Sequence, residues 1–437
     1  MGLITCKFGG SSLADATCVR KMEAIVRSNP ERRFIVPSAP GKRTDEDKKI
    51  TDLLYAWHSL AKQGLDVSQP KGIILSRFEE LAAELGVSFD SRKHMAEIAA
   101  AGEGHPEPDY MASRGEYLNG LLIAQLLGAT FVDPAECILF NEEGILDEKT
   151  YRVLGDRLSG DGLFVIPGFY GAMPDGRIKT FSRGGSDVTG AIVARATKST
   201  LYENWTDVSG FRMADPRIVP AARHIAEVTY KELRELSYMG AKVLHDEAIF
   251  PVRETGIPIN ILNTHDPDAP GTMIVSERES ATPVCGIAGR KGFSMITIEK
   301  ALMNRELGFG RRVLTILEEF GVSFEHMPSS IDTVSVIVSD EALGNHGPAV
   351  LKVIRQRCEP DRVELYPNLA LIATVGQGMA GHIGMAATLM GALAQANVNI
   401  RVIDQGSSEN NIIVGVEDKD LETAVRAIYR AFTDKED

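Results

Sequence analysis

The segment GRIKTFSRGGSDVTGAIVARA, residues 176–196, places Arg183, Gly184, Gly185, Ser186 and Asp187 at the start of a predicted helix. Paired glycines ahead of a helix let the backbone turn sharply and leave N–H groups pointing outward, so this helix end favours an anion. Arg183 adds a planar cation there and Asp187 a first-turn carboxylate. The set suits a phosphate or carboxylate ligand with a divalent metal nearby. Taken alone, the same residues also describe a loop-to-helix junction capped by Ser186 or Asp187.

Just upstream, LFVIPGFYG (163–171) reads as a buried strand ending in a glycine turn, and MPDG (173–176) as a tight hairpin. Downstream, STLYENWTDVSGFRMADPRIVPAA (199–222) carries Thr206, Asp207, Gly210, Asp215, Pro216 and Arg217 after an apolar strand, although aspartates in such places are also ordinary turn formers. The stretch ELRELSYMGAKVLHDEAIFPV (232–252) is expected to form one helix carrying Lys242, with His245 an ordinary satisfied or surface histidine, and IPINIL (257–262) the next strand.

At the N-terminus, MGLITCKFGGSSLADATCVRKMEAIVRS (1–28) gives a short strand, a glycine turn and a helix with Val19, Met22, Ile25 and Val26 at helical spacing. Lys7 therefore stands at a strand-to-helix junction, where it can reach a phosphate that Gly9 and Gly10 let approach the backbone. The pattern is not the GxxxxGK[ST] loop. A second strand (33–37) leads to a loop carrying Ser38, Lys42 and Thr44, then to a charged run (45–49) that reads as solvated. Glu116, near the start of a helix spanning 111–127, has capping or solvation as its ordinary role. This alternation of strands and helices predicts an open, mostly parallel α/β sheet covered by helices on both faces, with ligands at the carboxyl ends of the strands.

The length of 437 residues fits about three domains. A net charge of −13 excludes the basic surface field that non-specific nucleic-acid or acidic-membrane binding requires, so an anionic ligand must be held by local cations. The five cysteines, Cys6, Cys18, Cys137, Cys285 and Cys358, are widely spaced and show neither CxxC nor Cys/His ligand spacing. They are expected to be reduced thiols in a cytoplasmic protein, with no signal peptide and no apolar run near the roughly 20 residues that span a bilayer.

From about Ala281 the chain repeats itself. Residues 295–338 and 371–414 align at a constant offset of 76, pairing Ile296 with Ile372, Val313 with Leu389, Leu317 with Leu393 and Val336 with Ile412. Each copy reads strand, helix, strand, strand, with a further helix after it, giving two small α+β units. Gly376, Gly378 and Gly381 imitate a dinucleotide fingerprint, but the first copy lacks these glycines and no doubly wound domain surrounds the second.

Read together, KFGGSS (7–12), SAPGKRTD (38–45), RGEYLNG (114–120), SRGGSD (182–187), NWTDVSGFRMADPR (204–217) and GAKVLH (240–245) resemble the aspartate kinase (aspartokinase) family, in its monofunctional form with tandem C-terminal ACT domains. The resemblance covers essentially the whole chain. It implies an amino-acid-kinase fold over 1–282 and ferredoxin-like ACT modules over 283–365 and 366–437. It also implies MgATP-dependent phosphorylation of L-aspartate to 4-phospho-L-aspartate, the first step towards lysine, threonine and methionine. Carried over by motif, Lys7 bridges the phosphates with the amides of Phe8, Gly9 and Gly10, and Asp187 organises the lysine and metal end. Arg183 clamps the substrate α-carboxylate, Glu116 takes the α-ammonium, and Ser38, Thr44 and Ser186 orient the substrate. Thr206, Asp207, Arg212, Arg217, Lys242 and Val243 hold ATP. No residue is assigned as a direct protein ligand of Mg²⁺.

The resemblance extends to regulation. ELGFGRRV (306–313) and SFEHMPSSIDTVSV (323–336) are similar to effector-binding segments of lysine-sensitive members, which assigns Met303, Phe309, Gly310, Ser323, Phe324, Glu325 and Ser330 to an amino-acid effector, lysine first and threonine as an alternative. It further implies a homodimer formed through the ACT modules. Arg212 stands where many relatives carry an aromatic or aliphatic residue, Ser182 where glycine is frequent, and Glu325 where aspartate is common. The competing expectations are a catalytically silent ACT-domain sensor and a related kinase with another carboxylate substrate. A fused homoserine dehydrogenase is not expected at this length.

Overall fold

The computed structural model describes residues 2–102, 107–182, 184–240, 244, 250–279 and 282–434. The chain forms two compact units. The first comprises Met1–Phe211, Ala226–Tyr230 and Lys242–Arg278; the second comprises Arg212–Ile225, Lys231–Ala241 and Glu279–Asp437.

The first unit begins with β1 (Ile4–Phe8), α1 (Ala16–Ser28), β2 (Arg32–Pro37), α2 (Ile50–Lys62), α3 (Ser68–Leu85), α4 (Ser91–Gly102) and α5 (Pro108–Leu127). Next come β3 (Thr130–Phe131), α6 (Lys149–Arg157), β4 (Phe164–Val165), the hairpin β5 (Tyr170–Ala172) and β6 (Ile178–Thr180), α7 (Gly185–Ala196) and β7 (Leu201–Thr206). The short pair β8 (Phe211–Arg212) and β9 (His224–Ile225) comes next in the chain, with β9 in the second unit; then follow β10 (Glu227–Thr229), α8 (Tyr230–Tyr238), which from Lys231 belongs to the second unit, α9 (Phe250–Arg253), β11 (Ile259–Asn263) and β12 (Thr272–Val275). Eight strands order as β10-β12-β11-β7-β1-β2-β4-β3, and every pair but β11 with β12 is parallel. The open, mostly parallel sheet expected from the sequence is thus present.

The order in which the chain adds strands reverses between the parallel neighbours β1 and β7, the place where open α/β sheets form a ligand crevice at their carboxyl ends. Alternation then sorts the β1 side chains. Cys6 and Phe8 face one way, where Phe8 stacks on Trp205 at 6.0 Å; Thr5 and Lys7 face α7. Helix α7 lies close because Gly190 meets Tyr202, where an added Cβ would sit 2.5 Å from the hydroxyl oxygen.

The single helix expected over 232–252 is not formed. Helix α8 stops at Tyr238, and Gly240 takes φ +107°, a conformation no helix contains.

In the second unit, β13 (Gly286–Glu299), α10 (Phe309–Glu319), β14 (Thr333–Ser339), α11 (Asp340–Leu343) and α12 (Gly347–Cys358) precede β15 (Arg362–Val375). Helix α13 (Met385–Gln395), β16 (Val402–Asp404), β17 (Asn411–Glu417) and α14 (Leu421–Thr433) complete it. Five strands order as β14-β13-β15-β17-β16. The two copies are interleaved. Phe293–Glu299 pairs with β14 and the first half of β15, whereas Gly286–Arg290 pairs with Leu371–Val375, whose other neighbour is β17. Both long strands break register near Gly292, at φ +91°, and Asn368, at φ +62°.

The constant offset also acquires a two-residue slip: Ile296 opposes Val336, but Ile372 opposes Val414, and an even slip keeps the same faces buried. The imitation fingerprint at 376–381 follows an antiparallel strand, and its Gln377 amide donates to Glu232 at 2.8 Å, where a pyrophosphate would otherwise bind.

Candidate active site

Lys7 and Asn204 are Cα partners in the parallel pairing of β1 with β7, so their side chains emerge side by side. Both are buried, at 8% and 2% exposure. From the first turn of α7, Asp187 places one oxygen, Oδ1, 2.5 Å from Lys7 Nζ and 2.9 Å from Asn204 Nδ2. Tyr202, two residues before Asn204, donates its hydroxyl to the Asp187 carbonyl at 3.0 Å. A cation and an anion are thereby held at the carboxyl end of the two central strands. The sequence-assigned pair Lys7 and Asp187 meets; Asn204, given no role there, completes it.

The turn after β1 is cut to fit its neighbours. The Gly9 amide donates to the Trp205 carbonyl at 3.0 Å, and Ser38 donates to the Phe8 carbonyl at 3.0 Å. Gly41 donates to the Gly10 carbonyl at 2.8 Å, and a Cβ on Gly41 would lie 2.5 Å from Gly10 backbone atoms. We expect Gly41→Ala to lower stability by about 1–3 kcal/mol through overpacking, read as a fall in the unfolding midpoint; an unchanged midpoint would show that the loop yields freely. The Phe8 side chain is fully buried against Trp205, which leaves only its backbone for the nucleotide role assigned from sequence.

The 38–47 loop is held from behind. Arg77 of α3 is 6% exposed and donates to Asp47 at 3.0 Å, to the Gly41 carbonyl at 2.9 Å and to the Ala14 carbonyl at 3.2 Å. Arg43 grips the same Asp47 and, with Arg77, holds its carboxyl down to about 2. Thr44 is exposed within this loop, and Ser38 is half-buried at its root.

Glu116 lies on α5, buried at 6% exposure, because Gly115 lets that helix press against Ala39 and Ile50. Its Oε2 has no hydrogen-bond partner among the described residues. Burial pushes its carboxyl up to about 7, offset in part by backbone amides of Ala39 and Glu116 and by the Arg114 charge. One turn on, Asn119 Nδ2 donates to the Ser38 carbonyl at 2.6 Å, tying helix to loop. Arg114 is turned away under the rings of Tyr110, Tyr117 and Tyr170. A buried carboxylate with a vacant oxygen is suited to a cation, and position i+3 on the same helix is the signal that would have singled out Asn119.

Ser186 is buried in the first turn of α7 against Gly168. Arg183, Lys242, Val243 and His245 lie outside the described residues. Thr206 ends β7, its hydroxyl 3.2 Å from Asp207 Oδ1, with Asp207 exposed. Arg212 and Arg217 belong to the second unit; both are exposed, Arg212 donating to the Ala222 carbonyl and Arg217 paired with Asp215.

Among the assigned effector residues, Met303 and Phe309 are buried in the core of the first repeat copy, with Gly310 beside Met327. Ser323, Phe324 and Ser330 are exposed. The Glu325 side chain is 8% exposed, and burial raises its pKa. Tyr238 of α8 donates its hydroxyl to the Glu325 carboxylate, a partner not foreseen from sequence. Next to it, His326 Nδ1 lies 2.6 Å from Asp404 Oδ2.

The family model for the amino acid kinase family matches residues 2–263, and one for the ACT domain matches 372–432. Aspartokinase 3 of Bacillus subtilis is 41% identical over 98% of both chains. The solved aspartate kinase of Clostridium acetobutylicum is 49% identical with a TM-score of 0.92, covering 99% of this chain and 100% of its own. The chain belongs to the aspartate kinase family. A more distant member, Escherichia coli aspartokinase III, is 26% identical and has been solved with aspartate and ADP in an R-state, TM-score 0.78, covering 98% of this chain and 99% of its own. The same protein with lysine and aspartate, in a T-state, matches at TM-score 0.79 over 99% of each chain. Membership fixes the enzyme class as aspartate kinase. No helix among the described residues is long and apolar enough to cross a membrane.

Proposed function

We propose that the chain transfers the γ-phosphoryl group of ATP to the side-chain carboxylate of L-aspartate at the Lys7–Asp187–Asn204 cluster, and that lysine bound in the second unit inhibits it. The observation that carries this reading is the Lys7–Asp187 pair at the β1–β7 reversal. An aspartate carboxylate oxygen attacks the γ-phosphorus and ADP leaves with the bridging oxygen. The attacking group is already anionic, so no general base is needed, and positioning with charge neutralisation carries the rate.

Lys7 neutralises charge on the transferring group, and the Gly9–Gly10 turn admits the phosphates to the backbone. Glu116 accepts the substrate ammonium on its vacant oxygen, and Arg183 with Ser38, Thr44 and Ser186 sets the carboxylates. Thr206, Asp207, Arg212, Arg217, Lys242 and Val243 hold the nucleotide. The donor set fits Mg²⁺: Asp187 Oδ2 has no partner among the described residues and remains available to the metal end of the nucleotide. When bound, the ion would neutralise phosphate charge.

Glu325 is the carboxylate proposed to take the effector's cationic side chain, in a cytoplasmic homodimer paired through the second unit. The kinase domain is proposed to end near 282 and the ACT modules to span the remainder. The silent-sensor alternative is disfavoured by the intact Lys7–Asp187 pair.

ADP release with MgATP and L-aspartate, with and without lysine, tests the proposal. Aspartate-dependent turnover suppressed by lysine is expected; turnover on no aspartate concentration would overturn the site. Glu325→Gln is expected to raise the lysine concentration for half-inhibition by at least about tenfold, as loss of a charged partner commonly does. An unshifted midpoint would remove Glu325 from the effector site.

A further inference from the structure

We infer that Asn204 is a positioning residue for the phosphoryl transfer, holding the Asp187 carboxylate in place when Lys7 leaves it for the phosphates. The inference rests on the reading of Lys7 and Asp187 as the catalytic pair.

Asp187 Oδ1 receives two donors, Lys7 Nζ at 2.5 Å and Asn204 Nδ2 at 2.9 Å, and Oδ2 receives none among the described residues. The donors differ in kind. Lys7 is the mobile charge that the reaction draws towards a polyanion. Asn204 is a neutral amide on a buried central strand, 2% exposed and locked in register with Lys7. Were Lys7 the sole anchor, its movement would strand a carboxylate of 15% side-chain exposure with no hydrogen bond. Such a group turns freely about its last torsion. A fixed amide donor prevents this, because it has no charge to be drawn towards the phosphates.

The anchoring is divided between two β7 side chains on the same face. Tyr202 holds the Asp187 backbone carbonyl at 3.0 Å and Asn204 holds the carboxylate. With Oδ1 occupied from the sheet side, the free oxygen is the one left for ligand chemistry.

The test is kcat at saturating aspartate and MgATP, together with the aspartate KM, for Asn204→Leu and Asn204→Ser. Asn204→Leu is expected to lower kcat roughly 10- to 50-fold, the usual size for a residue that orients a catalytic group, with the aspartate KM changed less than about threefold. Asn204→Ser, which keeps a short donor, recovers part of kcat and serves if the leucine variant does not fold. Recovery by the serine donor, with the aspartate KM little changed in both variants, is the signature of positioning and not of packing.

A leucine variant with parental kcat overturns the inference. So does a serine variant that recovers nothing while the aspartate KM rises as kcat falls, since that marks a packing role only. Lys7→Ala measured alongside separates the two levels: turnover retained in Lys7→Ala removes the catalytic pair itself, whereas an inactive Lys7→Ala with a parental Asn204→Leu removes only the role of Asn204.

Discussion

Lys7→Ala is expected to lower kcat for aspartate-dependent ADP release by about a thousandfold or more, the scale seen when one preorganised charge or donor is taken from a developing anion. The position of Lys7 sets the size of this effect. The ammonium sits at the carboxyl end of β1, buried beside a glycine turn, and the overall charge of −13 provides no diffuse positive field to replace it. The aspartate KM should move far less than kcat, because Lys7 faces the transferred group and not the substrate ammonium. Removing it also leaves Asp187 without its ion pair, so part of the stability will be lost. Circular dichroism and an unfolding midpoint must show a folded variant before the kinetics are read. A folded Lys7→Ala enzyme within about tenfold of the parent would refute the charge-neutralising role.

The second large effect belongs to Glu116→Gln, and its two readouts have opposite signs. Loss of the carboxylate removes the partner of a buried ammonium, so the aspartate KM should rise about a hundredfold or more. In the parent, burial keeps the carboxyl neutral up to about pH 7, and the charged form is the one that binds. Aspartate binding in the parent should accordingly weaken as pH falls below about 7, while the glutamine variant should be flat there.

Stability runs the other way. The folded pKa lies above the unfolded one, so between about pH 4.5 and 7 the native state holds a proton that the unfolded state has released. The parent therefore loses stability as pH rises through that window. The variant has no such titration and should gain on the parent by up to about 3 kcal/mol at pH 8, with no difference below about pH 4. Matched urea titrations at the two pH values decide this. A variant less stable than the parent at pH 8 would mean that Glu116 is already satisfied in the free enzyme.

How far these residues were legible in the sequence depends on what makes them functional. Lys7, Gly9, Gly10 and Asp187 announced themselves because a cation, glycines and a first-turn carboxylate at strand and helix ends are local features. Asn204 was silent. Its role arises from the register of two strands nearly 200 residues apart, which no local pattern encodes. Glu116 looked like an ordinary helix-start carboxylate until packing at Gly115 buried it.

Phe8 shows what neighbourhood in sequence leaves out. It lies next to Lys7 in sequence, yet strand alternation sends its ring to the opposite face, into the core with Trp205. The extent of α8 was misread because the apolar spacing continues past Gly240, whereas the backbone there does not. The repeat was visible as an offset, but an offset describes copies laid end to end. Only hydrogen-bond pairing reveals that each copy takes a strand half from beyond its own boundary.

That borrowing has a consequence for anyone wishing to exchange parts. In β13 and β15, each 14 residues long, one continuous backbone serves both copies. A cassette cut between 365 and 366 would sever β15 and leave Gly286–Arg290 paired with nothing. Inheritance of effector preference by a chimera therefore requires the whole of 284–437 to travel together, and shuffling single copies among relatives should yield insoluble protein more often than altered specificity.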